Sequence, residues 1–184
     1  MGDQLKLMIM KDLLRLKTSL KEEIENILNE QIKVEAHSSA IYLAMSSWCD
    51  DQGLDFSAGF FEKQAEEERN HMMKIFKYVN DRGGRAISPE IQNIPKDFES
   101  FRSVFELALE QEMHVTQQFN NIAEQCMKHK DFVTFQFLQW FLEEQIEEEY
   151  VARRILDMFD VIGEEGTGRW EIDKHVQKVS YSED

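Results

Sequence analysis

Along most of the chain, apolar residues return every three or four positions, the period of an α-helix with one buried face. The first such row runs Ile24, Leu28, Gln31, Glu35, Ser38, Tyr42, Met45, Cys49, in steps of four and three without a slip. A second reads Phe61, Gln64, Glu68, His71, Ile75, Tyr78, and a third Phe105, Leu109, Glu112, Thr116, Phe119, Ala123, Cys126. The fourth is Leu138, Phe141, Gln145, Glu148, Ala152, Ile155, Phe159, Ile162. These rows predict four long helices. Thr18-Ser19 with Glu22 has the form of a capping box headed by Ser19, which sets the first start there, and the residues around Gly53 end that helix. The second spans about 57–82 and stops at Gly83-Gly84, the third about 101–128, and Asp131 caps a fourth over about 131–162. Past the flexible turn from Gly163 to Gly168, Trp170, Ile172, Val176 and Val179 outline a short fifth helix.

The brief turn at Gly53 sets the first two helices antiparallel. Residues 83–100 hold both prolines, Pro89 and Pro95, and form a long connection. The second helix is about 40 Å long, while an extended connection of this length reaches about 60 Å. It can therefore cross the whole bundle and let the third helix run parallel to the second. The expected fold is all-α: a four-helix bundle with a long crossover between its second and third helices and a short C-terminal fifth. Residues 18–184 make up this one domain. Residues 1–17 are an N-terminal extension, read as a short helix or a disordered segment, with no chemistry assigned.

Each long row breaks its apolar pattern near mid-helix: at Glu35, at Glu68 and His71, at Glu112, and at Gln145 and Glu148. Half-height is half-height whichever way a helix points, so all of them fall in one layer. Glu68 and His71, three apart, share a helix face and can reach one metal ion. Four carboxylates in a dry layer cannot stay an uncompensated cluster of like charges; either most are protonated or a multivalent cation lies among them. Mixed oxygen and nitrogen ligands in a bundle suit iron or manganese. A di-metal carboxylate site in a bundle takes a Glu from each of two helices and Glu-x-x-His from each of the others. Here the fourth helix substitutes Gln145-x-x-Glu148, so the second metal position lacks a histidine and binds more weakly.

Glu67, Glu144 and Glu147 stand one position off the rows, and two readings stay open for them: an outer cation site or a solvated acidic face. Tyr42 shares the row of Glu35 and is read as a hydrogen-bond partner of a ligand, an electron donor, or plain core. Trp48 and Trp140 are read as packing, and His37, His114 and His129 as surface.

Composition sharpens this. The 184 residues include only 8 Gly and 2 Pro, little material for a strand-and-turn fold. With 36 acidic against 21 basic residues the formal charge is −15, a field that attracts cations and repels nucleic acid. Cys49 and Cys126 lack CxxC spacing and are read as reduced thiols. No apolar run reaches membrane-spanning length, and Leu5 to Met10 is too short for a signal peptide, so a cytoplasmic location is expected.

At these residues the chain resembles a bacterial non-haem ferritin. The matching strings are Leu28-Asn29-Glu30-Gln31 with Glu35, Ser38, Ser39 and Tyr42; Glu67-Glu68 with His71; Glu112; and Phe137-Leu138-Gln139-Trp140 running into Glu144-Gln145 and Glu147-Glu148-Glu149. The resemblance spans roughly residues 19–178. It implies iron storage and detoxification: a homo-oligomeric shell of 24 subunits around a ferric oxide mineral, with a ferroxidase centre in each bundle. Fe(II) would be oxidised there by dioxygen or hydrogen peroxide. Glu35, Glu68 and His71 would bind one iron, Glu68 would bridge to a second held by Glu112 and Glu148, and Gln145 would stand close by. Glu67, Glu144 and Glu147 match an additional iron position, Tyr42 a tyrosine beside the centre, and the short fifth helix would pack near a symmetry axis.

Bacterioferritins carry a second Glu-x-x-His on the fourth helix, so Gln145-x-x-Glu148 argues against that branch and against bound haem. Two rivals remain from sequence. A peroxide reductase of the rubrerythrin type usually brings a CxxC module, absent here. A metal-free helical interaction protein requires the buried acids to be neutral.

Overall fold

The computed structural model describes residues 17–181; apart from Lys17, the N-terminal extension lies outside them. Among the described residues there are five helices and no strand: α1 (Glu22–Asp51), α2 (Asp55–Asp81), α3 (Phe101–His129), α4 (Phe132–Ile162) and α5 (Thr167–Val176). No described helix is long and apolar enough to cross a membrane.

Most helix ends follow from local chemistry. Gly53 at φ 70° and Gly83 at φ 81° take the left-handed backbone that ends α1 and α2. Asp131 accepts the Thr134 N–H at 3.1 Å and caps α4. At α3 a reciprocal pair that the sequence pattern does not flag does this work: Ser100 Oγ accepts from Ser103 N–H, and Ser103 Oγ from Ser100 N–H. The start of α1 differs from expectation. Its N-cap is Lys21, with no side-chain cap, rather than Ser19. Thr18, beside it, is engaged elsewhere: its hydroxyl donates to the Arg82 carbonyl at the end of α2 and accepts the Leu20 N–H. A tertiary tie has displaced the local cap.

Two apolar clusters fix the helix directions. The base cluster joins Ile24, Leu28 and Ile32 from the start of α1 to Ile75 and Val79 from the end of α2, Val115, Phe119 and Ile122 from the end of α3, and Leu138 and Phe141 from the start of α4. The top cluster joins the opposite ends, with Met45 and Cys49 of α1, Phe61 of α2, Phe101 and Phe105 of α3, and Ile155 and Phe159 of α4. Helices α2 and α3 therefore run parallel, and α1 and α4 run the other way. The crossover makes this possible by climbing along α1: Arg85 N–H meets Glu25, Ile87 N–H meets Asn29, the Gln92 carbonyl meets His37, and Phe98 packs edge-on to Trp48. Contact partners rise together in number, so the loop runs the length of α1.

Every residue of the expected row on α1 is buried, and Ile32, Ala36 and Ile41 beside it are buried as well. On α3 the buried face is shifted. Phe105, Glu112, Phe119 and Cys126 are buried as expected, but Ala108, Val115 and Ile122 fill the places between them instead of Leu109, Thr116 and Ala123. Both choices fit a helical period, and the neighbours decide. Thr116 faces α4, where its hydroxyl meets Glu149 at 2.6 Å.

Helix α5 closes the top. Its Ile172 and Val176 are fully buried in the top cluster. Its Asp173 accepts the Ser57 N–H at 2.8 Å and the Phe56 N–H at 3.4 Å, supplying from a distance the cap that Leu54 cannot give to α2. Asp173→Ala is expected to cost about 0.5–2 kcal/mol, the usual worth of an N-cap. It should also hasten proteolytic cleavage in the turn before α5, read by limited proteolysis and thermal unfolding; unchanged cleavage would count against this anchoring.

Candidate metal centre

Between the base and top clusters lies a polar layer to which all four long helices contribute. Glu35, Glu68, His71, Glu112 and Gln145 are 0, 1, 3, 2 and 3% exposed, so the expected row-breakers are buried where the pattern put them. Glu148 is the exception: it is partly exposed, at the layer's open side.

On one side of the layer, Glu35, Glu68 and His71 form a group whose potential ligand atoms all lie within 4.8 Å of one another. His71 Nδ1 is 3.7 Å from Glu68 Oε1 and 4.0 Å from Glu35 Oε2. Gln31 donates to Glu35 Oε1 at 2.7 Å. The remaining oxygens, Glu35 Oε2 and Glu68 Oε2, are buried without a hydrogen-bond partner. Orphaned carboxylate oxygens at this depth are expensive. Two carboxylates converging with an imidazole nitrogen are the donor set that a borderline cation takes.

On the other side, Tyr42 donates to Glu112 Oε1, Gln145 donates to Glu112 Oε2 at 2.9 Å, and Gln64 donates to Glu148 Oε2 at 3.0 Å. A void of about 10 Å³ lies between Tyr42, Gln64, Glu112 and Glu148 on one side and apolar side chains such as Phe60, Phe105 and Ile155 on the other. That is the lower limit of the room one water requires.

Burial dominates the electrostatics. It raises the carboxyls of Glu35, Glu68 and Glu148, and repulsion from neighbouring acids pushes Glu68 and Glu148 up further. Glu112 stands at about 7, with burial the main cause and the Tyr42 and Gln145 hydrogen bonds pulling down. His71 is lowered to about 4, first by burial and then by Lys74, so at neutral pH its imidazole is uncharged and free to ligate. The layer thus holds protons that a cation can displace.

The outer acids are regrouped relative to expectation. Glu67 and Glu144 converge with His71. Glu147 is exposed and contributes to the field that raises both acids. Lys74 lies over the Trp140 ring, 2.8 Å from its centroid, and its charge opposes the rise of Glu144. Trp140 also packs edge-on to His71 at 5.4 Å, which is the packing role expected of it. His37 and His129 are partly exposed and His114 is exposed.

Sequence reasoning gave Gln31, Gln64 and Lys74 no part in the site. The signal was present for the two glutamines, which sit on buried rows four residues before a layer glutamate. It was absent for Lys74, whose place depends on α4.

A carboxylate-layered four-helix bundle with a long crossover is the class that fold and layer define. A family model described as Ferritin-like domain matches residues 25–162, and the chain belongs to the ferritin family. It is 38% identical over 161 residues to a probable bacterial non-heme ferritin-like protein of Haemophilus influenzae, covering 88% of this chain and 98% of that one. To a bacterial non-heme ferritin of Campylobacter jejuni it is 37% identical over 163 residues, covering 89% and 98%. An open pore ferritin from the archaeon Archaeoglobus fulgidus superposes with a TM-score of 0.84 at 35% identity, covering 88% of this chain and 99% of that one.

The pKa directions fix a pH dependence for the metal-free protein. Glutamates raised above 4.5 contribute stability that is fully present below that value and lost as pH rises, through about 7 for Glu112. His71, held at about 4, has the opposite sign: its contribution is present above 6.5 and lost as pH falls. Above 6.5 only the carboxylate effect remains. The thermal midpoint of metal-free protein is therefore expected to fall as pH rises from 6.5 through 7, and saturating Zn²⁺ to cancel the fall. A metal-free midpoint that climbs over that window contradicts this account.

Proposed function

We propose that this protein stores and detoxifies iron, taking up Fe(II), oxidising it in the polar layer and depositing the product as ferric oxide inside a shell of 24 copies. The observation that carries the reading is the buried cluster of Glu35, Glu68 and His71 in the middle of a ferritin-family bundle: Glu68 Oε1 and Glu35 Oε2 lie 3.7 and 4.0 Å from His71 Nδ1, and the Oε2 atoms of both glutamates have no hydrogen-bond partner. Glu35, Glu68 and His71 hold the first iron. Glu68 also reaches the second, together with Glu112 and Glu148, and Gln145 stands beside it.

The carboxylates do three things. Their field draws Fe(II) into the layer, they release protons as it binds, and their charge favours the ferric product over the ferrous substrate. Each iron gives up one electron, and the pair together delivers two to dioxygen or to hydrogen peroxide. Tyr42, hydrogen-bonded to Glu112, steadies that carboxylate as its charge environment changes. An amide at Gln145 in place of an imidazole leaves the second position with oxygen ligands and a looser hold on Fe(III). Product then moves toward Glu67, Glu144 and Glu147, the outer acids. No haem belongs to this reading, since Gln145-x-x-Glu148 departs from the second Glu-x-x-His of the bacterioferritin branch.

The exposed apolar residues at both ends of α4 and on α5 suit assembly. Phe132 and Val133 are 58% and 60% exposed, and Val161 and Trp170 are 85% and 56%. Surfaces of this kind are covered in oligomers. The cytoplasm, where Fe(II) is available, is the expected place of work.

Replacing Glu68 and His71 together by Ala is expected to slow Fe(II) oxidation on the order of 100-fold or more, beyond the 10–100-fold typical of residues one step removed from a metal. Stopped-flow absorbance of the ferric product reads this, and wild-type rates in the double variant would sink the mechanism. Electron microscopy of protein loaded with Fe(II) in air should reveal hollow shells with dense cores. Particles of monomer or dimer size would instead favour a di-iron redox enzyme.

A further inference from the structure

Three glutamine amides point into the layer, and each is committed to one carboxylate: Gln31 to Glu35 at 2.7 Å, Gln145 to Glu112 at 2.9 Å and Gln64 to Glu148 at 3.0 Å. Glu68 alone receives no amide, and its Oε2 has no partner. Gln31 and Gln64 stand at the same local spacing, each four residues before a layer glutamate on its own helix. That spacing favours a bond within the helix. Gln31 makes it. Gln64 does not: it passes over Glu68 and donates across the bundle from α2 to Glu148 on α4.

This difference has a consequence for each side of the layer. A carboxylate held at one oxygen has its plane set and its other oxygen aimed. With Oε1 held by Gln31, Glu35 presents the partnerless Oε2 at 4.0 Å from His71 Nδ1. Glu148 is the least buried of the layer acids, and Gln64 is its one hydrogen-bond partner among the described residues. Glu67, Glu144 and Glu147 surround it with like charge. Without the Gln64 amide it is free to turn toward solvent and leave Glu112 alone.

We propose that Gln31 and Gln64 are positioning residues, one for each cation position: Gln31 fixes Glu35 beside His71, and Gln64 fixes Glu148 beside Glu112. By spending its amide on Glu148, Gln64 also leaves Glu68 free of any donor and able to serve both positions. The inference rests on the two-position reading given above. Residues that orient a metal ligand through a hydrogen bond typically change affinity by about 10–100-fold when removed.

The test uses assembled, metal-free, full-length protein titrated with Zn²⁺, a redox-inert divalent probe, by calorimetry. Glu67→Gln, Glu144→Gln and Glu147→Gln in every sample silence the outer acids, and His71→Ala identifies the first binding step. Gln31→Leu is expected to weaken the first step about 10–100-fold and leave the second unchanged; Gln64→Leu should do the reverse. Gln→Met at either position, equally long and without a donor, should give the same split, and serves if a leucine variant fails to assemble. Equal weakening of both steps by both variants, or no change in either, overturns the assignment of one glutamine to each position. If the parent protein binds a single Zn²⁺ in the layer, the two-position reading itself falls, and the glutamine assignment falls with it.

Discussion

The structure depends on one constraint: acids that repel one another must share a dry plane across the middle of a helical bundle. Glu35, Glu68 and Glu112 are almost wholly withdrawn from water, with Glu148 at the margin. Each ionised carboxylate at such depth is costly unless it is protonated, hydrogen-bonded or matched by a cation. The chain supplies part of that compensation through Tyr42 and three glutamine amides and leaves two oxygens unmatched. What remains is a demand for positive charge, which is the chemistry an iron-handling protein needs.

The layer also governs how the rest is built. It splits the apolar core into a base cluster and a top cluster, each of which must hold its own ends of the four helices together. The base does so with residues such as Phe119, Phe141 and Ile75, and the top with Phe61, Phe105 and Phe159. Two close-packed aromatic and aliphatic blocks act as clamps on either side of a layer that would otherwise spread to relieve its repulsion. Asp173 and the crossover contribute to the same end, tying the start of α2 and the length of α1 into place.

Asymmetry inside the layer follows from the amides. Where a second histidine would make both cation positions alike, α4 offers the Gln145 side chain, which donates to Glu112. In the two-position reading, one position would have an imidazole beside Glu68 and the amide-held Glu35, while the other would have oxygen ligands only, each carboxylate held by an amide. In the function proposed above, an unequal pair of positions would suit iron that enters, reacts and moves on, and the outer acids Glu67 and Glu144 beside His71 would extend the same path.

Much of this was legible in the chain. Apolar residues at steps of three and four, interrupted once per helix at half-height, are enough to place Glu35, Glu68, His71 and Glu112 in one layer, because a helix's buried face is written in its own period. Glycines with positive φ and Asp131 mark ends for the same reason: the preference is local. The tertiary structure alone decided matters in which two local choices are equally good. On α3, Thr116 and Val115 both fit the period, and the neighbouring α4 determined which was buried. Ser19 had the form of a cap, but Thr18 was drawn to the end of α2, and the start of α1 shifted to Lys21. Gln31 and Gln64 have identical spacing, yet one bonds within its helix and the other across the bundle. Sequence thus determined which side chains meet at the layer. How each hydrogen bond is spent there was decided by the packing of four helices against one another, since a side-chain amide goes to whichever acceptor the assembled bundle brings nearest.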